Sequence, residues 1–159
     1  MSLRILCLVF LLHSALPVAA QQEGGLARNS LYFEALGNNG TWSLNYEHLF
    51  RLRPSRDESL GISAGFNLPF SIFPLKIPLE VKYLRGSRHA LELGAGLTLG
   101  TANWFDEGEP DRLAGTYGVI RAGYRFTSGH FLFRAAPMLH FPRTWSSALW
   151  GGISLGYTF

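Results

Sequence analysis

The chain has 159 residues, of which 47% are hydrophobic, 14% aromatic and 16% charged, with 18 glycines. That describes one domain, low in charge and rich in turn-forming residues. A formal charge of +3 and a pI of about 9.3 come without any basic run, which excludes a nucleic-acid binder. One cysteine, Cys7, excludes a disulfide framework.

The N-terminus, "MSLRILCLVFLLHSALPVAAQQEGG", has a cation at Arg4, an apolar run over residues 5–12, and Val18 and Ala20 at small-residue cleavage positions. It reads as a secretory signal peptide over residues 1–20, cut after Ala20. A membrane anchor fits less well, because the run is broken by His13, Ser14 and Pro17 and falls short of the ~20 residues a spanning helix needs. Cleavage removes Cys7 and Arg4. The formal charge then drops from +3 to +2, with 13 Lys and Arg against 11 Asp and Glu. Residues 21–28 form a periplasmic lead-in, and 29–159 form the barrel.

Beyond the lead-in no segment has helical period. Alternating segments of about ten residues recur between turn residues, the length at which a tilted strand crosses a bilayer. Eight are expected, over residues 29–37, 41–50, 59–67, 75–84, 89–100, 114–126, 130–139 and 149–159. One face of these strands is apolar throughout, with Leu31 and Phe33, Trp42, Leu44 and Tyr46, Ile62, Val81, Leu93, Leu97, Ile120, Phe133 and Leu155. The other face alternates charges with small residues. It carries Glu34, Glu47, Lys76, Glu80, Lys82, Glu92, Arg121, Arg125 and Arg134, interleaved with Ser43, Asn45, Ser63, Thr98 and glycines such as Gly61, Gly94 and Gly123.

A face so full of glycine suits a crowded lumen, where charges from neighbouring strands pair. On a lipid face an arginine at mid-bilayer costs about 2 to 4 kcal/mol. In hydrocarbon every backbone amide must be bonded, so the sheet has to close. The fold class is therefore all-β, an eight-stranded antiparallel up-and-down transmembrane β-barrel behind a cleaved signal peptide. A soluble lipocalin-type barrel is the rival, but it would turn the glycine-rich charged face to water.

The connections "NNG", "LPFSIFP", "TANWFDEGEPDRL" and "HFPRTWSSA" are assigned to the extracellular side, and "RLRPSRDE", "RGSR" and "TSG" to the periplasmic side, where turns are short. The first of the periplasmic turns is long for its class, and "NNG" is short for an extracellular loop. Around "GTYGVIRAG", Tyr117 and Val119 share the face of Arg121, so this is where the register is most open to a slip.

The segments "NSLYFEALGNNGTWSLNYEHLF", "IPLEVKY", "HALELGAGLTLG", "GYRF" and "GGISLGYTF" resemble the small, mostly uncharacterised outer-membrane β-barrel proteins of Bacteroidota, of the OmpA/OmpX-like eight-stranded type. The likeness spans nearly the whole mature chain and is a pattern of strands without a catalytic signature. It implies residence in the outer membrane of a Gram-negative cell and says little about activity. Leu155, Tyr157 and Phe159 also look like the terminal signal read by the barrel-assembly machinery.

Chemistry is sparsely signalled. Lipid A deacylases of this size place a serine two residues from a histidine, because the imidazole must reach the hydroxyl. His48, His89, His130 and His140 have no such serine and read as residues at the membrane interface. No catalytic residue and no cofactor is assigned. Asp106, Glu107, Glu109 and Asp111 form a weak divalent-cation candidate in a loop that matches no EF-hand spacing. Trp42, Tyr46, Trp104, Trp145 and Trp150 read as interfacial girdles.

The expected function is that of a non-enzymatic integral outer-membrane barrel with a structural or surface-interaction role and a lumen filled by paired charged side chains. Its partners are outer-membrane lipid, lipopolysaccharide and the assembly machinery, and it is expected to be a monomer. Two alternatives stay open: a narrow channel or transport accessory using the charged lumen, and a lipid A-modifying enzyme.

Overall fold

The computed structural model describes residues 27–67, 75–100, 116–142 and 148–159. Eight strands run β1 Asn29–Ala35, β2 Trp42–Arg53, β3 Glu58–Phe66, β4 Lys76–Gly86, β5 His89–Gly100, β6 Tyr117–Ser128, β7 Phe131–Pro142 and β8 Ala148–Thr158. Each pairs antiparallel with its neighbours in sequence, and β1 pairs with β8 to close the barrel. The closing seam runs from Ser30 opposite Thr158 to Ala35 opposite Ile153. Asn29 and Phe159 complete it by exchanging backbone hydrogen bonds of 3.0 and 2.9 Å. No sheet edge remains, as a bilayer requires.

The connections divide the barrel into two ends. At the turn end, Pro54–Arg56 form one 3₁₀ turn between β2 and β3, and two-residue turns join β4 to β5 and β6 to β7. At the loop end lie the other four connections. The eight-residue "RLRPSRDE" turn expected from sequence is corrected here. β2 continues through Arg51 to Arg53, with a bulge where Arg51 faces Ser59 and Arg53 faces Glu58, so only residues 54–57 turn the chain. Charged side chains hid the end of the strand, because past the apolar belt they extend into water without disturbing the ladder. In the β4–β5 turn, Gly86 has φ +125° and a Cβ there would meet the His89 carbonyl oxygen at 2.1 Å, so only glycine fits.

Alternation sorts the side chains as the barrel needs. Leu93, Ile153 and Leu155 point outward and are more than half exposed, at 57%, 54% and 52%. Tyr32, Glu47, Lys82, Arg125 and Arg134 point inward and are almost completely buried. Apart from Arg53, Glu58 and Arg85 at the turn end, no outward-facing strand position among the described residues carries a carboxylate, lysine or arginine. The β5–β6 register pairs Gly94 with Arg121 and Gly96 with Val119, with Val119 and Arg121 both buried, so no slip occurs in "GTYGVIRAG".

The lumen is not uniformly polar. Leu49, Leu84 and Leu132 fill its turn end and are at most 2% exposed. Gly61 makes room for two of them, since a Cβ there would lie 2.9 Å from Leu49 Cδ2 and 3.5 Å from Leu84 Cδ1. Above this apolar floor the interior is polar, and an eight-stranded barrel is just wide enough for side chains to fill it.

Candidate functional site

Strand alternation brings eight of the nine charged residues assigned to the lumen into one buried cluster. Glu34 comes from β1, Glu47 from β2, Glu80 and Lys82 from β4, Glu92 from β5, Arg121 and Arg125 from β6, and Arg134 from β7. All are buried. Four carboxylates face four cations, so the formal charge of the cluster is zero.

The contacts form one unbroken path. Arg121 donates from Nη1 to Glu34 Oε1 at 2.8 Å, and its Nε lies 2.6 Å from Glu80 Oε1. The other oxygen of Glu80 is 3.5 Å from Lys82 Nζ, which also donates to Glu47 Oε2 at 2.5 Å. Arg125 links Glu47, through Nη2, to Glu92, through Nε at 3.1 Å. Arg134 ends the path on Glu92, with Nε on Oε2 at 3.1 Å and Nη2 on Oε1. A buried ion is costly unless paired and hydrogen-bonded on its remaining atoms, and forked arginine pairs meet that need best. Gly94 leaves the space, because a Cβ there would sit 2.5 Å from Glu80 Oε1 and 2.9 Å from Arg121 Cγ.

Tyr32 belongs to this cluster and was not singled out from sequence. It is 2% exposed. Its hydroxyl accepts from Lys82 Nζ at 2.9 Å, and its ring lies 5.0 Å from that nitrogen and 4.6 Å from Arg134 Cζ. Its spacing of two from Glu34 on β1 was the available signal. A ring between two cations is attracted to both.

Lys76 stands apart from the path. Its Nζ donates to the Asn39 carbonyl at 3.2 Å and lies 5.5 Å from the Tyr117 ring centre. It makes no ion pair with a described carboxylate. Its place at the start of β4, at the loop end, sets it above the paired charges.

The "NNG" connection, at the loop end, folds inward over the lumen. Asn38 and Asn39 are 3% and 1% exposed. The Asn38 amide donates to Glu34 Oε2 at 3.0 Å, and its side-chain oxygen accepts from Arg121 Nη2 at 2.6 Å. Its carbonyl accepts from Thr98 Oγ1 at 2.9 Å and from the Tyr117 hydroxyl at 2.5 Å. The loop therefore caps the loop end of the lumen, bonded to β1, β5 and β6. Leu36 adopts φ +63°, uncommon for a branched residue. It is held there because its N–H bonds the Thr41 carbonyl at 2.6 Å and its carbonyl accepts from the Trp150 indole. Polar loop residues read equally well as surface, so alternation gave no warning of this.

Outside the lumen, Leu155, Tyr157 and Phe159 face outward and are about half exposed, at 52%, 53% and 49%. His48 lies 2.8 Å from Asn29 Oδ1, His89 lies 2.5 Å from the Tyr124 hydroxyl, and His130 lies 2.7 Å from the Thr158 carbonyl. These three are at the turn end. His140 is at the loop end, its ring 5.0 Å from Tyr117. Trp42 stacks on Phe33 at 6.0 Å at the loop end. Tyr46 lies nearer the other rim, its hydroxyl donating to Asn29 Oδ1 at 2.8 Å. Trp104, Trp145 and the acidic positions Asp106, Glu107, Glu109 and Asp111 lie outside the described residues, as does the signal-peptide segment. Among the described residues no group of three or more His, Cys, Asp or Glu is placed to hold a metal ion.

No protein-family model and no curated protein matches the chain. Among solved structures it is similar to the crystal structure of the N-terminal β-barrel domain of Pseudomonas aeruginosa OprF, at 18% identity and a TM-score of 0.54, over 84% of this chain and 99% of that one. The likeness is one of fold: a closed, eight-stranded antiparallel barrel.

Proposed function

We propose that the chain is a non-enzymatic integral outer-membrane barrel with a structural or surface-interaction role, its lumen closed by paired charges. The observation that carries this reading is the inversion of a soluble protein's pattern. Apolar side chains such as Leu93 and Leu155 are exposed while Arg125, Arg134, Glu47 and Glu92 are buried. Water disfavours such a surface and hydrocarbon favours it. Seven strands have nine to twelve residues, the length a tilted transmembrane strand needs.

A secretory leader over residues 1–20 would deliver the chain to the periplasm, and the exposed Leu155, Tyr157 and Phe159 would be read by the assembly machinery. The turn end then faces the periplasm and the loop end the exterior. A channel role is weaker, because Asn38 and Asn39 cap the lumen above a cluster whose charges are already neutralised by one another. A catalytic role is the weaker reading, since ring nitrogens of His48, His89 and His130 contact Asn29, Tyr124 and a backbone carbonyl rather than a serine.

Fractionation of cells expressing the full chain tests the reading. It should appear in the outer-membrane fraction and migrate faster on a denaturing gel before boiling than after. Release into the soluble periplasm would end the proposal. In planar bilayers the folded barrel should give no steady conductance, and lipid A mass spectra should be the same with and without it.

A further inference from the structure

We propose that the turn end of the barrel carries an arginine collar that binds the phosphates of anionic phospholipids in the adjoining leaflet. The inference rests on the membrane reading above and adds the lipid class.

Six arginines are exposed at this end. Arg28 precedes β1, Arg51 and Arg53 end β2, Arg56 lies in the 3₁₀ turn, Arg85 is near the end of β4, and Arg88 lies in the β4–β5 turn. They are all the exposed arginines among the described residues. The acids described at the same end are Asp57 and Glu58, and the ion pair formed there is Arg53 Nη1 with Glu58 Oε2 at 3.8 Å. The side chains of the rim therefore hold a surplus of four positive charges, six arginines against two acids, whereas the buried cluster is neutral. Like charges gathered on one rim repel each other, so the arrangement calls for an anionic partner.

The neighbours of the arginines indicate which anion. Just inside the rim the outward surface is apolar and aromatic, with Phe50, Leu52, Leu91, Phe131 and Tyr157 exposed. Arg85 is on the outward face of β4, opposite Leu91 on β5. The Arg88 guanidinium carbon lies 5.3 Å from the centre of the Phe126 ring, on the outer wall. These cations thus sit at the boundary between the apolar belt and water, at the depth of lipid phosphates. A guanidinium presents two parallel N–H groups that match two phosphate oxygens. An acidic protein would meet the rim from the water side and would not need arginines held against the wall.

The test uses the folded full chain in nanodiscs of phosphatidylcholine containing a minority of phosphatidylglycerol, followed by native mass spectrometry of the lipids that stay bound after mild detergent extraction. Phosphatidylglycerol should exceed its bulk share by about fivefold, the factor one cation near an anionic surface carries. The enrichment should fall toward the bulk share in the R56Q/R85Q/R88Q variant, whose positions are exposed and outside the buried cluster, and it should weaken in high salt. A folded wild type that holds the two lipids in their bulk ratio overturns the collar and leaves the membrane reading intact. So does enrichment that neither the substitutions nor salt reduce. If soluble polyglutamate binds the collar while phosphatidylglycerol is not enriched, the partner is an acidic protein and the proposal falls. A chain that shows no heat-modifiable migration in lipid overturns both readings.

Discussion

The Arg134 guanidinium meets the Glu92 carboxylate through two nitrogens, with Nε on Oε2 at 3.1 Å and Nη2 on Oε1. Both residues are almost wholly buried, so neither can turn to water if its partner is lost. Arg134→Met is expected to destabilise the barrel by about 3 to 5 kcal/mol, the usual cost of breaking a buried pair. Urea unfolding from lipid vesicles measures it. The double variant R134M/E92L should recover part of that loss, because no half-pair remains between these two positions; a cycle with purely additive costs would deny the coupling.

Lys82 and Lys76 on the same strand should respond differently. Lys82 bonds Glu47 and Tyr32 inside the path, so Lys82→Met takes one of two cations from Glu47, leaves the buried cluster with an uncompensated negative charge and should cost about 3 kcal/mol or more. Lys76 bonds a backbone carbonyl at the loop end, and Lys76→Met should cost only about 1 kcal/mol. The same unfolding assay compares them, and equal losses would place Lys76 within the network.

The capping loop depends on a glycine from the far side of the seam. A Cβ on Gly152 would lie 2.6 Å from Gly37 Cα and 3.1 Å from Gly37 N, and backbone cannot step aside as a side-chain tip can. Gly152→Ala should displace the 36–41 connection and cost about 1 to 3 kcal/mol, as overpacking does. Hydrogen exchange at the Asn38 amide, now bonded to Glu34, should quicken. An unchanged exchange rate would show that the loop is not held by this contact.

The strands and their faces were legible because alternation has a fixed period and a slip of one residue would exchange every side chain between lipid and lumen. Leu93 and Glu92 are adjacent in sequence, and alternation alone sends one outward and the other inward. Which charges meet was not legible. Glu34 bonds Arg121 from a strand 87 positions away, a contact set by the shape of the lumen and not by local spacing. The inward leucines Leu49 and Leu84 were also hidden, because an apolar residue does not distinguish a lipid-facing position from a packed lumen floor. Asn38 and Asn39 were hidden for the opposite reason: polar loop residues suit water as well as a polar interior.

An outward charge provides the counterpart to these lumen substitutions. Leu93 lies on the exposed face of β5, so Leu93→Arg should lower stability in a bilayer by about 2 to 4 kcal/mol. Refolding into vesicles across a urea series reads the loss. A neutral result would mean that this face meets water.

The most direct measurement places a bimane fluorophore on a cysteine at position 93, in a Cys7→Ser background, with the barrel in vesicles of lipid brominated along the acyl chain. Strong quenching by the bromines, together with protection from a water-soluble thiol reagent before labelling, is the predicted result. A fluorophore left bright by the brominated lipid, at a cysteine that reacts freely from water, would contradict the account.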